Sequence, residues 1–237
     1  MKGKREQIYQ LLLGILLVCA LPVMALLGYW ACRYSYYGTV DYSIRNILVK
    51  DTAWKHILVF LLAVAVVWGL DRMFARTKRM QQEKICLGVL ILTVVVAFIL
   101  GILYILKNPY FPEGDQIGVA AFAAYAREGN YVMLGPGGYV GMYQQQKGLG
   151  ALYEILFTFF GNFNYTSAKI AHVIWWLFAI LAGYGFLKLN TDRAVFRVLY
   201  CAMLLGCMPF LLYLPYIYGD ILSVSFCMIL FWAVSAY

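Results

Sequence analysis

Apolar residues in this chain come in long unbroken runs, separated by short polar or basic stretches. The two-residue alternation of a half-buried strand is absent from these runs. Candidate spans fall near residues 8–30, 56–73, 85–107, 165–187, 196–217 and 219–237. Each is close to the roughly 20 residues that carry a helix across about 30 Å of hydrocarbon. A backbone in lipid must satisfy its own hydrogen bonds, which favours helices; a membrane barrel would instead show short alternating segments. The pattern predicts an all-α, polytopic membrane bundle of about six spans. One further stretch, 148–160, is apolar but short and carries Glu154. Its length suits a helix lying at the interface.

Composition narrows the class. Of 237 residues, 64% are hydrophobic and 13% charged, against about half and about a quarter in a soluble domain. This excludes a soluble enzyme, a disordered tail and a nucleic-acid-binding domain. The formal charge of +8 then reads as topology, because Lys and Arg gather in cytoplasmic loops. Cys19, Cys32, Cys86, Cys201, Cys207 and Cys227 are scattered, with no CxxC or metal-ligand spacing. They read as small lipid-tolerant residues.

Basic residues orient the spans. Lys2, Lys4 and Arg5 put the N-terminus in the cytoplasm, and the first run is read as an uncleaved anchor, although Val23-Met24-Ala25 resembles a cleavage site. Arg72, Arg76, Lys78, Arg79 and Lys84 form one inner cluster, and Lys188, Arg193 and Arg197 another. Residues 1–84 become an N-terminal two-span hairpin. Residues 85–237 become a transmembrane core whose loop, 108–164, lies outside. Only a juxtamembrane placement of 148–160 keeps both clusters on one side. The apolar run continues to Tyr237 with no polar tail, so we expect a piece of a longer chain.

The outer loop carries the candidate chemistry. Pro109 and Pro112 stop the third span, and Glu113, Asp115 and Gln116 follow. Residues 117–129 read as a small-residue helix on the membrane, ending at Arg127 and Glu128. A turn at 135–138 leads to Tyr139, then Tyr143, Gln144, Gln145, Gln146 and Lys147, and the interfacial helix closes on Phe160-Gly161. So long a loop, rich in Gly and aromatics, reads as ordered and functional.

The order of these elements resembles the GT-C superfamily of membrane glycosyltransferases, in particular bacterial relatives of protein O-mannosyltransferases and lipid A aminoarabinose transferases. The matching pieces are a span, Asp115 just outside it, the Gly129-Asn130-Tyr131 step, the turn at 143–148 and Phe160-Gly161. The resemblance covers residues 85–237. It implies a GT-C-like fold in a bacterial cell membrane, and transfer of a sugar from a polyprenyl-phosphate donor to a glycan, lipid or protein acceptor on the non-cytoplasmic side. Such transfer needs a base for the acceptor hydroxyl and donors for the departing phosphate. By motif position Asp115 is the base, with Glu113 beside it as substitute or assistant. Arg127, Lys147 and Lys107 are the cations for a lipid phosphate. Gln116, Gln145, Gln146, Tyr143, Tyr139 and Asp220 are candidates for the sugar. The resemblance names no certain cofactor, and the carboxylates permit a divalent metal without demanding one.

Each residue also has a plainer meaning. Asp115 after Pro and Gly is a common turn or cap residue, and Arg127 and Glu128 suit a helix end in water. Lys147 and Lys169 suit snorkelling to headgroups. His172 suits a hydrogen bond to a neighbouring helix, and Asp220 suits a cap. The rival functions are a transporter or lipid flippase, and a non-catalytic membrane subunit. A transporter would place ionisable or helix-breaking residues near the midplane in repeated halves, whereas the charges here sit at span ends and only Pro209 and Pro215 break a late span.

Overall fold

The computed structural model describes residues 52–108 and 110–237, the backbone of 34–38 and 46–50, and isolated helical positions between 14 and 29. The candidate span at 8–30 and the basic residues before it lie outside the described residues, apart from those isolated positions. The chain divides into two compact units, Met1–Gly69 and Leu70–Tyr237. This division falls within a helix rather than after residue 84.

In the first unit, β1 (Tyr34–Gly38) pairs antiparallel with β2 (Asn46–Lys50), with Tyr36 opposite Leu48. This short ribbon is an addition to the otherwise helical fold that the sequence predicts. The two five-residue runs are rich in Tyr and in Ile, Leu and Val, and a polar stretch separates them, which suits a short ribbon. Helix α1 (Ala53–Ala75) follows. It is apolar on all sides and mostly exposed, as expected of a helix whose solvent is lipid.

The second unit is helical: α2 (Arg79–Lys107), α3 (Asp115–Arg127), α4 (Tyr139–Met142), α5 (Lys147–Phe160), α6 (Tyr165–Asn190), α7 (Ala194–Gly206), α8 (Met208–Tyr213) and α9 (Asp220–Ala236). Short 3-10 turns at Val132–Leu134 and Gln144–Gln146 join the outer pieces. Three helices are long and apolar enough to cross a membrane: Trp54–Ala75 within α1, α2 and α6. At about 1.5 Å per residue, the 29 residues of α2 reach roughly 43 Å.

The predicted span at 196–217 is not continuous. Helix α7 ends at Gly206, the chain turns at Cys207, and Pro209 sits in the first turn of α8. Proline has no N–H to donate to the preceding turn and its ring crowds the carbonyl there, so the helix restarts rather than continues. A non-helical stretch at 214–219 then separates α8 from the 17-residue α9. The expectation of six full-length spans therefore reduces, among the described residues, to three long helices and two shorter apolar ones.

Helix α6 is the axis of the unit. Helix α9 packs along it, and α2 packs against both α6 and α7. Ala97, Val173, Trp176, Ile180, Leu214 and Ile221 form one core cluster of that bundle. At one end, ion pairs join the end of α1 and the start of α2 to the turn before α7. Arg193 meets Asp71 at 3.3 Å and Arg79 meets Asp192 at 3.1 Å. Arg197, itself buried, makes a two-pronged contact with Glu83 at 2.8 and 2.7 Å. Both predicted inner basic clusters therefore lie at one end of the bundle. The segment from residue 108 to 164 lies at the other, because α2 and α6 are antiparallel about it.

A pair of cysteine variants, Lys78→Cys and Val132→Cys, tests whether the bundle crosses a bilayer. Both positions are exposed and belong to opposite ends. Read against the unsubstituted chain, a membrane-impermeant maleimide should label only one of them in intact cells and both after permeabilisation. Equal labelling in intact cells would show that the long helices do not cross.

Candidate functional site

The outer end is built around the interruption between α8 and α9. Leaving helical geometry frees backbone groups, and these need partners wherever water is excluded. Two buried side chains supply them. The Gln116 carbonyl accepts from the Ile217 N–H at 3.0 Å, while its amide donates to the Tyr110 hydroxyl at 3.0 Å. His172, fully buried on α6, places Nδ1 3.3 Å from the Leu214 carbonyl and Nε2 2.9 Å from the Tyr153 hydroxyl. A carbonyl can only accept, so a neutral ring carries its proton on Nδ1 and receives the Tyr153 hydroxyl at Nε2. Burial pushes the Tyr153 phenol pKa up, which keeps that donor protonated.

Lys169 lies one turn before His172 and is also buried; its ammonium donates to the Tyr110 carbonyl. The expected snorkelling of this lysine to headgroups is thus corrected. Its side chain turns inward because the backbone after α2 offers an oxygen there.

Above this layer lie α3 and α5, running side by side. Gly114, at φ 55°, makes the sharp entry into α3, and Gly161, at φ 96°, ends α5; both are left-handed conformations that glycine adopts without penalty. Gly118 lets the Tyr139 ring lie directly on α3, and Gly150 does the same for Phe122 on α5. Val119, Ala120, Ala123, Tyr153 and Phe157 fill the interface. At the far end of α3, Arg127 donates to Asn162 at 2.8 Å, and Asn162 donates to Glu128 at 2.9 Å.

Between α5 and α9 runs a groove of about 670 Å³. Its upper part is lined by Gln145, Gln146, Tyr218, Gly219 and Asp220, and its lower part by Leu149, Leu152, Ile155, Leu222 and Phe226. The polar part belongs to the outer end and the apolar part to the faces of the two helices. Asp220 also lines a smaller hollow of about 280 Å³ with Phe210 and Tyr213. Its carboxylate opens α9, where the amide dipoles favour a negative charge.

The sequence candidates separate into groups. Gln145, Gln146 and Asp220 meet at the groove. Tyr143 lies beside Tyr139, ring centres 4.9 Å apart. Asp115 reaches the groove only through tyrosines. The Tyr139 hydroxyl is buried and no hydrogen bond of normal geometry closes on it. Burial first, then Tyr218, then Asp115 hold its pKa well above the ordinary phenol value, and Tyr218 is on the groove wall. Lys147 is exposed at the start of α5. Glu113 acts electrostatically on Tyr216, away from the groove. Gln116 has its carbonyl and amide committed to the protein. Arg127 is not brought to Asp115, since the 13 residues of α3 hold them about 18 Å apart along the helix.

Tyr218 and Tyr153 are the residues that sequence reasoning passed over, and Lys169 was read only as a snorkelling lysine. Pro209 and Pro215 were their signal, because a broken helix in an apolar bundle requires polar partners nearby. Among the described residues no three His, Cys, Asp or Glu side chains cluster as a metal ion would require. Comparison with known proteins finds no match to this chain among protein families, curated proteins or solved structures.

Gln116→Leu should leave the Ile217 N–H buried without a partner, a loss of roughly 1–3 kcal/mol. Thermal unfolding in detergent should show a lowered midpoint, with Gln116→Glu, which still accepts, losing less. An unchanged midpoint for the leucine variant would mean that Gln116 does not hold the turn.

Proposed function

We propose that the protein is an integral-membrane, GT-C-like glycosyltransferase that moves a sugar from a polyprenyl-phosphate donor to an acceptor on the non-cytoplasmic side. The observation that carries this reading is the groove between α5 and α9, polar above and apolar below. A prenyl-linked sugar has the same division: a hydrocarbon tail, a phosphate and a polyhydroxylated head. The tail would lie along Leu152, Ile155, Leu222 and Phe226, and the head would stand among Gln145, Gln146, Tyr218 and Asp220.

In the reaction the acceptor oxygen attacks the anomeric carbon and the bond from that carbon to the phosphate oxygen breaks. The phosphate leaves as polyprenyl phosphate, and the acceptor's proton passes to a carboxylate. Motif order gives this role to Asp115. Asp115 is exposed at the start of α3 and acts on the Tyr139 phenol, so its carboxylate is free to take up the acceptor's proton. Asp220, on the groove wall, would accept from sugar hydroxyls and fix the ring. Lys147 is the exposed cation at the start of α5, adjoining Gln146, and suits the departing phosphate as a point charge. Arg127, held by Asn162 at the far end of α3, has no part in this reading.

A transporter reading draws some support from the broken helix, since such proteins build sites from interrupted spans. The interruption here, however, lies at the end of the bundle and faces a groove open to one side.

Asp115→Asn should lower the turnover of sugar transfer by at least about a hundredfold, the scale of a lost general base, with insertion and unfolding midpoint unchanged. Asp220→Asn should raise the donor KM with a smaller effect on turnover. The reverse pattern would move the base to Asp220. No transfer from any polyprenyl-phosphate sugar by the unsubstituted protein would defeat the reading.

A further inference from the structure

We propose that a second hollow at the outer end, lined by tyrosines, is a carbohydrate-binding site and seats a sugar acceptor; the acceptor role rests on the transferase reading, the binding of carbohydrate does not. The hollow encloses about 480 Å³ between Tyr104 and Asn108 at the end of α2, Tyr110, and Tyr213 and Tyr216 from the interrupted segment. That volume is in the range of small-molecule sites.

Four phenol rings around one space offer flat apolar faces edged with hydroxyls. A sugar ring is the complement: its C–H faces lie on aromatic rings, and its hydroxyls pair with phenol and amide groups around the edge. Tyr110 and Tyr216 stand 4.7 Å apart by ring centres, and Tyr213 and Tyr216 5.6 Å apart. Asn108 adds an amide at the edge of the hollow that can donate to and accept from sugar hydroxyls.

Tyrosines that merely mark a membrane interface need only lie at headgroup level. These are held in place. Tyr110 is gripped at its carbonyl by Lys169 and at its hydroxyl by Gln116. The same Gln116 holds Ile217, next to Tyr216. Two buried polar side chains are thus spent on orienting partly exposed rings. Preorganisation of this kind serves a ligand, because it removes the cost of ordering the site on binding. The hollow is also connected: Tyr213 lines it and the smaller hollow alike, and Asp220 lines that hollow and the groove. An acceptor among the tyrosines and a donor in the groove would therefore lie on either side of Asp220.

The test is saturation-transfer NMR on the protein in nanodiscs, with methyl glycosides of glucose, mannose, galactose, N-acetylglucosamine and arabinose as probes, and glycerophosphocholine as a headgroup probe. At least one glycoside should receive saturation. Tyr213→Leu/Tyr216→Leu should weaken its binding about tenfold or more. Tyr104→Leu, on α2 and outside the interrupted segment, should do the same if the double variant fails to fold. Binding of undecaprenyl phosphate, read by native mass spectrometry, should be unchanged in these variants. Saturation of no glycoside, of glycerophosphocholine alone, or equally in wild type and variants would overturn the site. Undecaprenyl phosphate binding that persists in that event would leave the transferase reading standing, whereas its absence from the unsubstituted protein would count against the transferase and not against the hollow.

Discussion

The outer end of this protein depends on how one non-helical turn is held. Between α8 and α9 the backbone leaves the helix in a bundle with almost no water to offer. Its freed groups must bond to side chains or remain unsatisfied at a cost of kilocalories each. Gln116 and His172 answer that demand, and through them the turn is tied to α3, α5 and α6 at once. Because Tyr216, Tyr218 and Asp220 all ride on or beside the turn, its anchoring fixes the walls of both the groove and the tyrosine hollow. A surface loop carrying the same residues could not hold them in this way.

Helices α3 and α5 were legible because their boundaries are written in strong local signals. Pro112 and Gly114 fix the start of α3 and Gly161 the end of α5, so the expected 117–129 and 148–160 fall within two residues of the observed helices. Helices α2 and α6 were legible from their unbroken apolar runs. The interruption at 207–219 was not, although both prolines were in view, because the average apolarity of the stretch hides the break. The ribbon at 34–50 was missed for a related reason: two five-residue strands carry little periodic signal beside runs four times as long.

Roles that depend on tertiary partners were beyond sequence reasoning. Gln116 looked like a sugar ligand because it follows Asp115, yet the turn of α3 that exposes Asp115 sends Gln116 into the core. The separation of Arg127 from Asp115 follows from helix rise alone once α3 is recognised as one helix, so this part was legible and simply not used. Lys169 is the opposite case. No spacing rule shows that a lone lysine in an apolar run will meet the Tyr110 carbonyl.

The two ends of the bundle are held by different physics, and the contrast bears on function. At the basic end, among the described residues, three carboxylate–cation pairs join α1 and α2 to α7 and the turn before it, two of them largely exposed and so of small individual worth. At the outer end the connections are mostly neutral hydrogen bonds beneath aromatic cover. Of the charges there, Lys169 is committed to the Tyr110 carbonyl and Arg127 and Glu128 to Asn162, whereas Glu113, Asp115, Lys147 and Asp220 form no ion pair among the described residues. On the proposed transferase reading, a site that handles an anionic phosphate and takes up a proton would benefit from that economy. Structural ion pairs around the groove would compete for the phosphate and stabilise the carboxylates as ions, making them poorer bases. Fixing the groove wall mainly with amide, imidazole and phenol groups leaves Asp220 without an ion pair among the described residues, the arrangement that the proposed lipid-linked sugar would require.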